Sequence, residues 1–110
     1  MIHWLTQSHE TLPGTAVFLS EKEAARLASL QTEKRRRDWL LGRWTAKRLL
    51  QTIVWEASQA TVPLDLITVA NNADGVPTVA SQLPLVDGQY SISLSHAHGQ
   101  ALVAAVAKPN

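Results

Sequence analysis

Ile92-Ser93-Leu94-Ser95-His96-Ala97-His98-Gly99 alternates apolar and small polar residues, the two-residue period of a strand with one face on a core. Ile92, Leu94 and His96 share one face, and Ser93 and Ser95 share the other. The strand delivers Ser95 and His96 to a turn at His98-Gly99, beyond which the chain resumes as a second run, Ala101 to Ala107. So short a connection favours antiparallel pairing, and a turn that receives a hydroxyl and an imidazole is a place where a ligand could meet them.

Working outward, a turn at Asp87-Gly88 leads into Gln89 to Ser95. Before it lie Leu64 to Ala70, a turn at Asn71 to Gly75, and Thr78 to Ala80, all with strand periodicity. That periodicity begins at Pro63. Upstream, Glu33 to Ala57 contains no proline and only Gly42 as a weak point, so it predicts one long helix capped by Thr32. Ser20 and Glu23 form a capping box for a shorter helix from Glu21 to Leu30. Ile2 to Leu5 reads as a first strand, Pro13-Gly14 as a turn, and Ala16 to Leu19 as a further extended piece. The expected fold class is α+β, a small antiparallel sheet packed on one long helix, in a single domain over residues 1–110.

The bulk numbers fit that picture. A chain of 110 residues with 45% hydrophobic and 17% charged residues is an ordinary globular composition. No apolar run approaches a membrane span, no basic-then-apolar leader opens the chain, and the absence of cysteine excludes disulfides and thiolate metal sites. The expected setting is the cytoplasm, without a membrane.

The net charge of +1 hides a lopsided distribution. Lys34, Arg35, Arg36, Arg37, Arg43, Lys47 and Arg48 are seven of the ten basic residues, and none occurs between Arg48 and Lys108. On a helix Arg36, Arg43 and Lys47 share one stripe, because steps of seven and four residues return to nearly the same angle. Cations emerging beside Leu40, Trp39 and Trp44 suit a phosphate-bearing ligand. The same residues also fit a solvated helix face paired with Glu33 and Asp38, and spacing alone does not separate the two.

His96 continues an apolar series, the usual position of a core histidine, yet a turn and a hydroxyl adjoin it. No Gly-x-Ser-x-Gly elbow exists, so Ser95 is not read as a nucleophile. His96 and His98 alone are a weak metal signal. Trp39, Trp44 and Trp55 recur along a helix that needs large residues to cover a sheet, so core packing is expected for most of the four tryptophans.

Three blocks in this order, the helix from Arg36 to Arg48, the turn Asp74-Gly75-Val76-Pro77 and the strand ending Ser95-His96, together resemble the 4′-phosphopantetheinyl transferases of the surfactin-synthetase-activating type. The resemblance covers nearly the whole chain and only the N-terminal half of such an enzyme. It implies one half of the 4′-phosphopantetheinyl transferase fold. It also implies transfer of phosphopantetheine from coenzyme A to a carrier-protein serine, with coenzyme A held by Arg36, Arg43, Lys47, Gly75, Pro77, Ser95 and His96. Val76 stands where many family members carry a lysine. The acidic motifs that hold Mg²⁺ in the family have no match here, so the chain is expected to ligate no Mg²⁺ and to be inactive alone. Its partners would be an acyl or peptidyl carrier protein and a missing C-terminal half or second chain. Two other classes stay open: a nucleic-acid-binding module using helix 34–48, and a non-catalytic structural or regulatory domain. No aromatic strand platform or recognition motif accompanies the basic helix, which counts against nucleic acid.

Overall fold

The computed structural model describes residues 1–109. Its elements in chain order are β1 (Ile2–Ser8), α1 (Glu21–Ser29), α2 (Glu33–Ser58), β2 (Ile67–Asn71), β3 (Pro77–Ser81), β4 (Tyr90–Ala97) and β5 (Gln100–Ala107), with single 3-10 turns at His9–Thr11 and Leu64–Leu66. The α+β reading holds, with one refinement: the strands form two sheets. One is three-stranded in the order β1-β5-β4 and the other pairs β2 with β3; all pairs are antiparallel.

The capping residues act as the sequence predicts. Thr32 accepts from the Arg35 amide at 3.2 Å, and α2 ends at Gln59, whose φ of 62° places it in the left-handed region. Ser20 and Glu23 make the reciprocal box, at 3.3 Å and 2.9 Å. β1 runs on to Ser8, past the expected Leu5, and β4 runs to Ala97, past Ser95, while two stretches read as extended are turns. Ala16 to Leu19 is a tight turn, closed by the Leu19 amide on the Ala16 carbonyl at 3.1 Å, and it buries Phe18 and Leu19 rather than extending as a strand. Leu64 to Leu66 is a 3-10 turn, so β2 starts only at Ile67.

The core lies between α2 and the two sheets. Ala46, Leu49, Leu50, Ile53 and Val54 of the helix meet Ile67 and Val69 of β2, Ile92 of β4, and Val103 and Ala105 of β5, with Val62 and Val86 closing the ends. Each fully buried aliphatic side chain contributes about 1.5–3 kcal/mol, so this face, not the exposed basic residues, holds the helix in place. The tryptophans are less buried than expected. Trp44 packs on Phe18 at a ring distance of 5.2 Å, but Trp4 and Trp55 are 68% and 47% exposed.

Candidate functional site

The register of β4 against β5 pairs His96 with Ala101 and Ala97 with Gln100, leaving His98 and Gly99 as the two turn residues. Both have positive φ, 52° and 73°, the requirement of a two-residue turn whose twist matches its strands. Glycine supplies this freely, and histidine is among the side chains that adopt it. The turn therefore projects at the end of the sheet, beside the first turns of α2.

His96 reaches that helix at Gly42. A side-chain carbon at Gly42 would lie 3.0 Å from His96 Nε2, 3.2 Å from Cε1 and 3.1 Å from Leu94 Cδ2. Glycine inside a helix costs roughly 0.5–1 kcal/mol relative to alanine; here it lets the imidazole lie against the helix backbone. The weak point noted in the sequence is thus the seat of His96.

A groove of about 540 Å³ opens at this junction, lined by His9, Glu33, Lys34, Arg37, Asp38, His96 and His98 with the turn backbone. Three parts of the chain converge on it: the segment after β1, the N-terminal turns of α2, and the β4–β5 turn. His9 is fixed by its amide on the Gly99 carbonyl at 3.3 Å, with its ring edge against Gly99. Its Nε2 lies 3.4 Å from Asp38 Oδ1, while Lys34 Nζ lies 3.2 Å from Asp38 Oδ2. His9 Nδ1 is buried and has no hydrogen-bond partner among the described residues, and Nε2 is the nitrogen that faces Asp38.

Burial works to raise the Asp38 pKa, but the Lys34 hydrogen bond and the charges of Lys34, His96 and His9 outweigh it and leave the carboxyl below its ordinary value. Because the folded value lies below the unfolded one, ionised Asp38 favours the fold at neutral pH. That contribution is lost as the pH falls through the lowered value.

The expected coenzyme-binding residues are not gathered in one place. His96 lines the groove. Ser95 faces the opposite side of the strand, on the outer surface of the sheet with Ser91 and Ser93. Gly75, with φ of 80°, lies in the β2–β3 turn, where Asn72 Oδ1 accepts from the amides of Asp74 and Val76 at 2.9 Å and 3.0 Å, and Pro77 opens β3 opposite Asn71. Arg36 is exposed on α2.

Arg43 and Lys47 turn inward. Arg43 is 6% exposed, donates from Nε to the Val69 carbonyl at 3.2 Å, and stacks 4.7 Å from the Trp39 ring centre. Burial lowers its pKa; Glu23 opposes this and Arg26 adds to it. Lys47 is fully buried and donates to the Phe18 and Leu64 carbonyls, at 2.7 Å and 2.9 Å, and to Glu23. Three hydrogens on three acceptors leave nothing for a phosphate. The stripe read as a ligand face is therefore internal at two of its three positions, and the basic cluster is split between core and surface instead of forming one patch.

The groove residues that sequence reasoning missed are His9, Lys34, Arg37, Asp38 and His98 as a set. Lys34 to Asp38 is an i,i+4 pair visible in the sequence, but nothing in the local pattern places His9 beside it. Among the described residues no group of three histidine, cysteine, aspartate or glutamate side chains is placed to hold a metal ion. No helix among them is long and apolar enough to cross a membrane.

No family model matches the sequence, and no curated protein matches it. Solved structures do. A holo-(acyl-carrier-protein) synthase from Bacillus anthracis, in complex with CoA (3′,5′-ADP), is 19% identical with a TM-score of 0.74, over 96% of this chain and 93% of that one. The Helicobacter pylori holo-[acyl-carrier-protein] synthase, in complex with coenzyme A, is 15% identical with a TM-score of 0.70, over 98% and 100%. The Neisseria meningitidis synthase is 18% identical with a TM-score of 0.72, over 98% and 97%. At these identities the likeness establishes the fold: an antiparallel sheet and a long helix arranged as in the holo-acyl-carrier-protein synthases.

Proposed function

We propose that the chain is a coenzyme A-binding domain of the 4′-phosphopantetheinyl transferase kind, acting in the transfer of phosphopantetheine to a serine of an acyl or peptidyl carrier protein. The observation that carries this reading is the position of His96. The strand whose Ser95-His96 end carries the resemblance brings an imidazole into a groove beside Lys34 and Arg37. Two synthases of the same fold were solved with coenzyme A or its 3′,5′-ADP portion.

Relative to the sequence expectation the phosphate donors move along the helix, from the buried Arg43 and Lys47 to Arg37 and Lys34. Arg37 is exposed and makes no ion pair among the described residues, which leaves its guanidinium open to a phosphate. Calorimetry with 3′,5′-ADP tests the reading. An Arg37→Ala, His96→Ala variant is expected to lose about one to two decades of affinity, and Gly42→Ala, which displaces His96, should lose part of it. Equal binding by wild type and both variants would place the site elsewhere.

The reading includes a second α+β unit, a C-terminal half or another chain, as in the surfactin-type enzymes. A surface for it is available. On the outer face of the three-stranded sheet, Ile2, Trp4 and Thr6 of β1 stand in register with Val106, Ala104 and Leu102 of β5 and Ser91, Ser93 and Ser95 of β4. None of these nine positions is charged, and Ile2, Trp4, Leu102 and Val106 are all exposed. Apolar patches of this kind mark interaction surfaces. Without another partner the chain is expected to self-associate through this face, and a Trp4→Glu, Leu102→Glu variant to be monomeric. Sedimentation reads this, and a wild type that stays monomeric at millimolar concentration would refute the role of the face. The cytoplasm, where coenzyme A and carrier proteins would be met, is the compartment that goes with this reading.

A further inference from the structure

We infer that Asp38 sets the affinity of the groove for anions by acting as its resident competitor. The inference rests on the reading that the groove takes a phosphate and concerns what limits that binding. The lysine and arginine that line the opening are matched in number by its carboxylates: Lys34 and Arg37 against Glu33 and Asp38. A groove with two unopposed cations would attract a phosphate more strongly than this one.

The carboxylate already holds one of the donors that such a ligand would use, Lys34. One oxygen faces His9 Nε2 at 3.4 Å and the other takes Lys34 Nζ at 3.2 Å, while the side chain remains about one-third exposed on the groove wall. An incoming phosphate that takes Lys34 must therefore either displace Asp38 or settle beside it at like charge, and both oppose binding. Arg37, one residue before it on the helix, is the cation that Asp38 does not hold.

A purely structural Asp38 would behave in the opposite way. If its task were only to latch His9 to the helix, removing its charge would loosen one wall of the groove and weaken any ligand. Asparagine keeps the shape and can still accept from Lys34, so Asp38→Asn separates charge from shape.

The test uses inorganic pyrophosphate as a bare anion, titrated by calorimetry into wild type and Asp38→Asn at low and at high salt, with thermal unfolding to show that both are folded. Expected is about three- to tenfold tighter binding by Asp38→Asn at low salt, with the gain shrinking at high salt as screening requires. Equal or weaker binding by the variant, a gain that ignores salt, or no binding by either protein would overturn the inference. The coenzyme reading is scored separately by 3′,5′-ADP binding to wild type, so one can fail while the other stands.

Discussion

Lys47→Met is expected to destabilise the chain by about 3–5 kcal/mol, because it leaves the Glu23 carboxylate buried without its cation. Native domains hold only about 5–15 kcal/mol in total, so the variant should be near the edge of folding at room temperature. Glu23 is the hub of this region. Its Oε1 accepts from the Ser20 amide and from Lys47, and its Oε2 accepts from the Val69 amide at 2.8 Å. Lys47 in turn ties the turn at Phe18 and the segment at Leu64 to the helix. The two side chains thus join α1, α2, β2 and the approaches to them. Burial pulls the Lys47 pKa down, against the hydrogen bond and charge of Glu23 and the charge of Asp65, with Arg43 adding to the fall.

Urea titration followed by circular dichroism measures the cost. A Glu23→Gln, Lys47→Met double variant should recover much of it, since removing both charges removes the uncompensated one. The opposite pattern would restore Lys47 to the ligand set: a Lys47→Met protein as stable as wild type that no longer binds 3′,5′-ADP.

The comparison of Glu23 with His96 shows what can be read along a chain and what cannot. Glu23 was legible as a cap because its partner Ser20 is three residues away. Its larger role was not, because Lys47 and Val69 lie 24 and 46 residues on. The same limit explains the basic stripe. Helical periodicity correctly puts Arg36, Arg43 and Lys47 on one side of α2, but whether that side meets water, ligand or a buried carboxylate depends on what α1 and β2 place against it. His96 was legible to the extent that a strand ends there at a turn. That it rests on Gly42, with His9 and Asp38 nearby, is a product of the docking of the sheet end on the helix. At Ala16 and Leu64 a short stretch read as extended forms a turn instead, a distinction that periodicity does not make over so few residues.

Incubated with coenzyme A, Mg²⁺ and an apo carrier protein, this chain by itself is expected to transfer no detectable phosphopantetheine. Phosphoryl transfer depends on positioning and on neutralising charge at the reacting oxygens, and the chain carries only part of either. Lys34, Arg37 and His96 can hold phosphate oxygens. Of the carboxylates nearest them, Glu33 and Asp38, Asp38 faces Lys34 and His9, and among the described residues no set of three ligands assembles. On the proposed reading, loss of metal stabilisation costs on the order of 10³-fold or more, and a missing second wall of the cleft misplaces the acceptor for about 10²-fold further, on the order of 10⁵-fold together. Self-association through Trp4 and Leu102 joins the outer face of the sheet, on the far side of β4 from the groove, so concentration should not rescue activity. On the proposed reading, addition of a C-terminal half bearing metal-binding acids should. Intact mass spectrometry of the carrier protein gives the answer, and a phosphopantetheine mass increase with this chain alone, absent from a control without it, would sink the prediction.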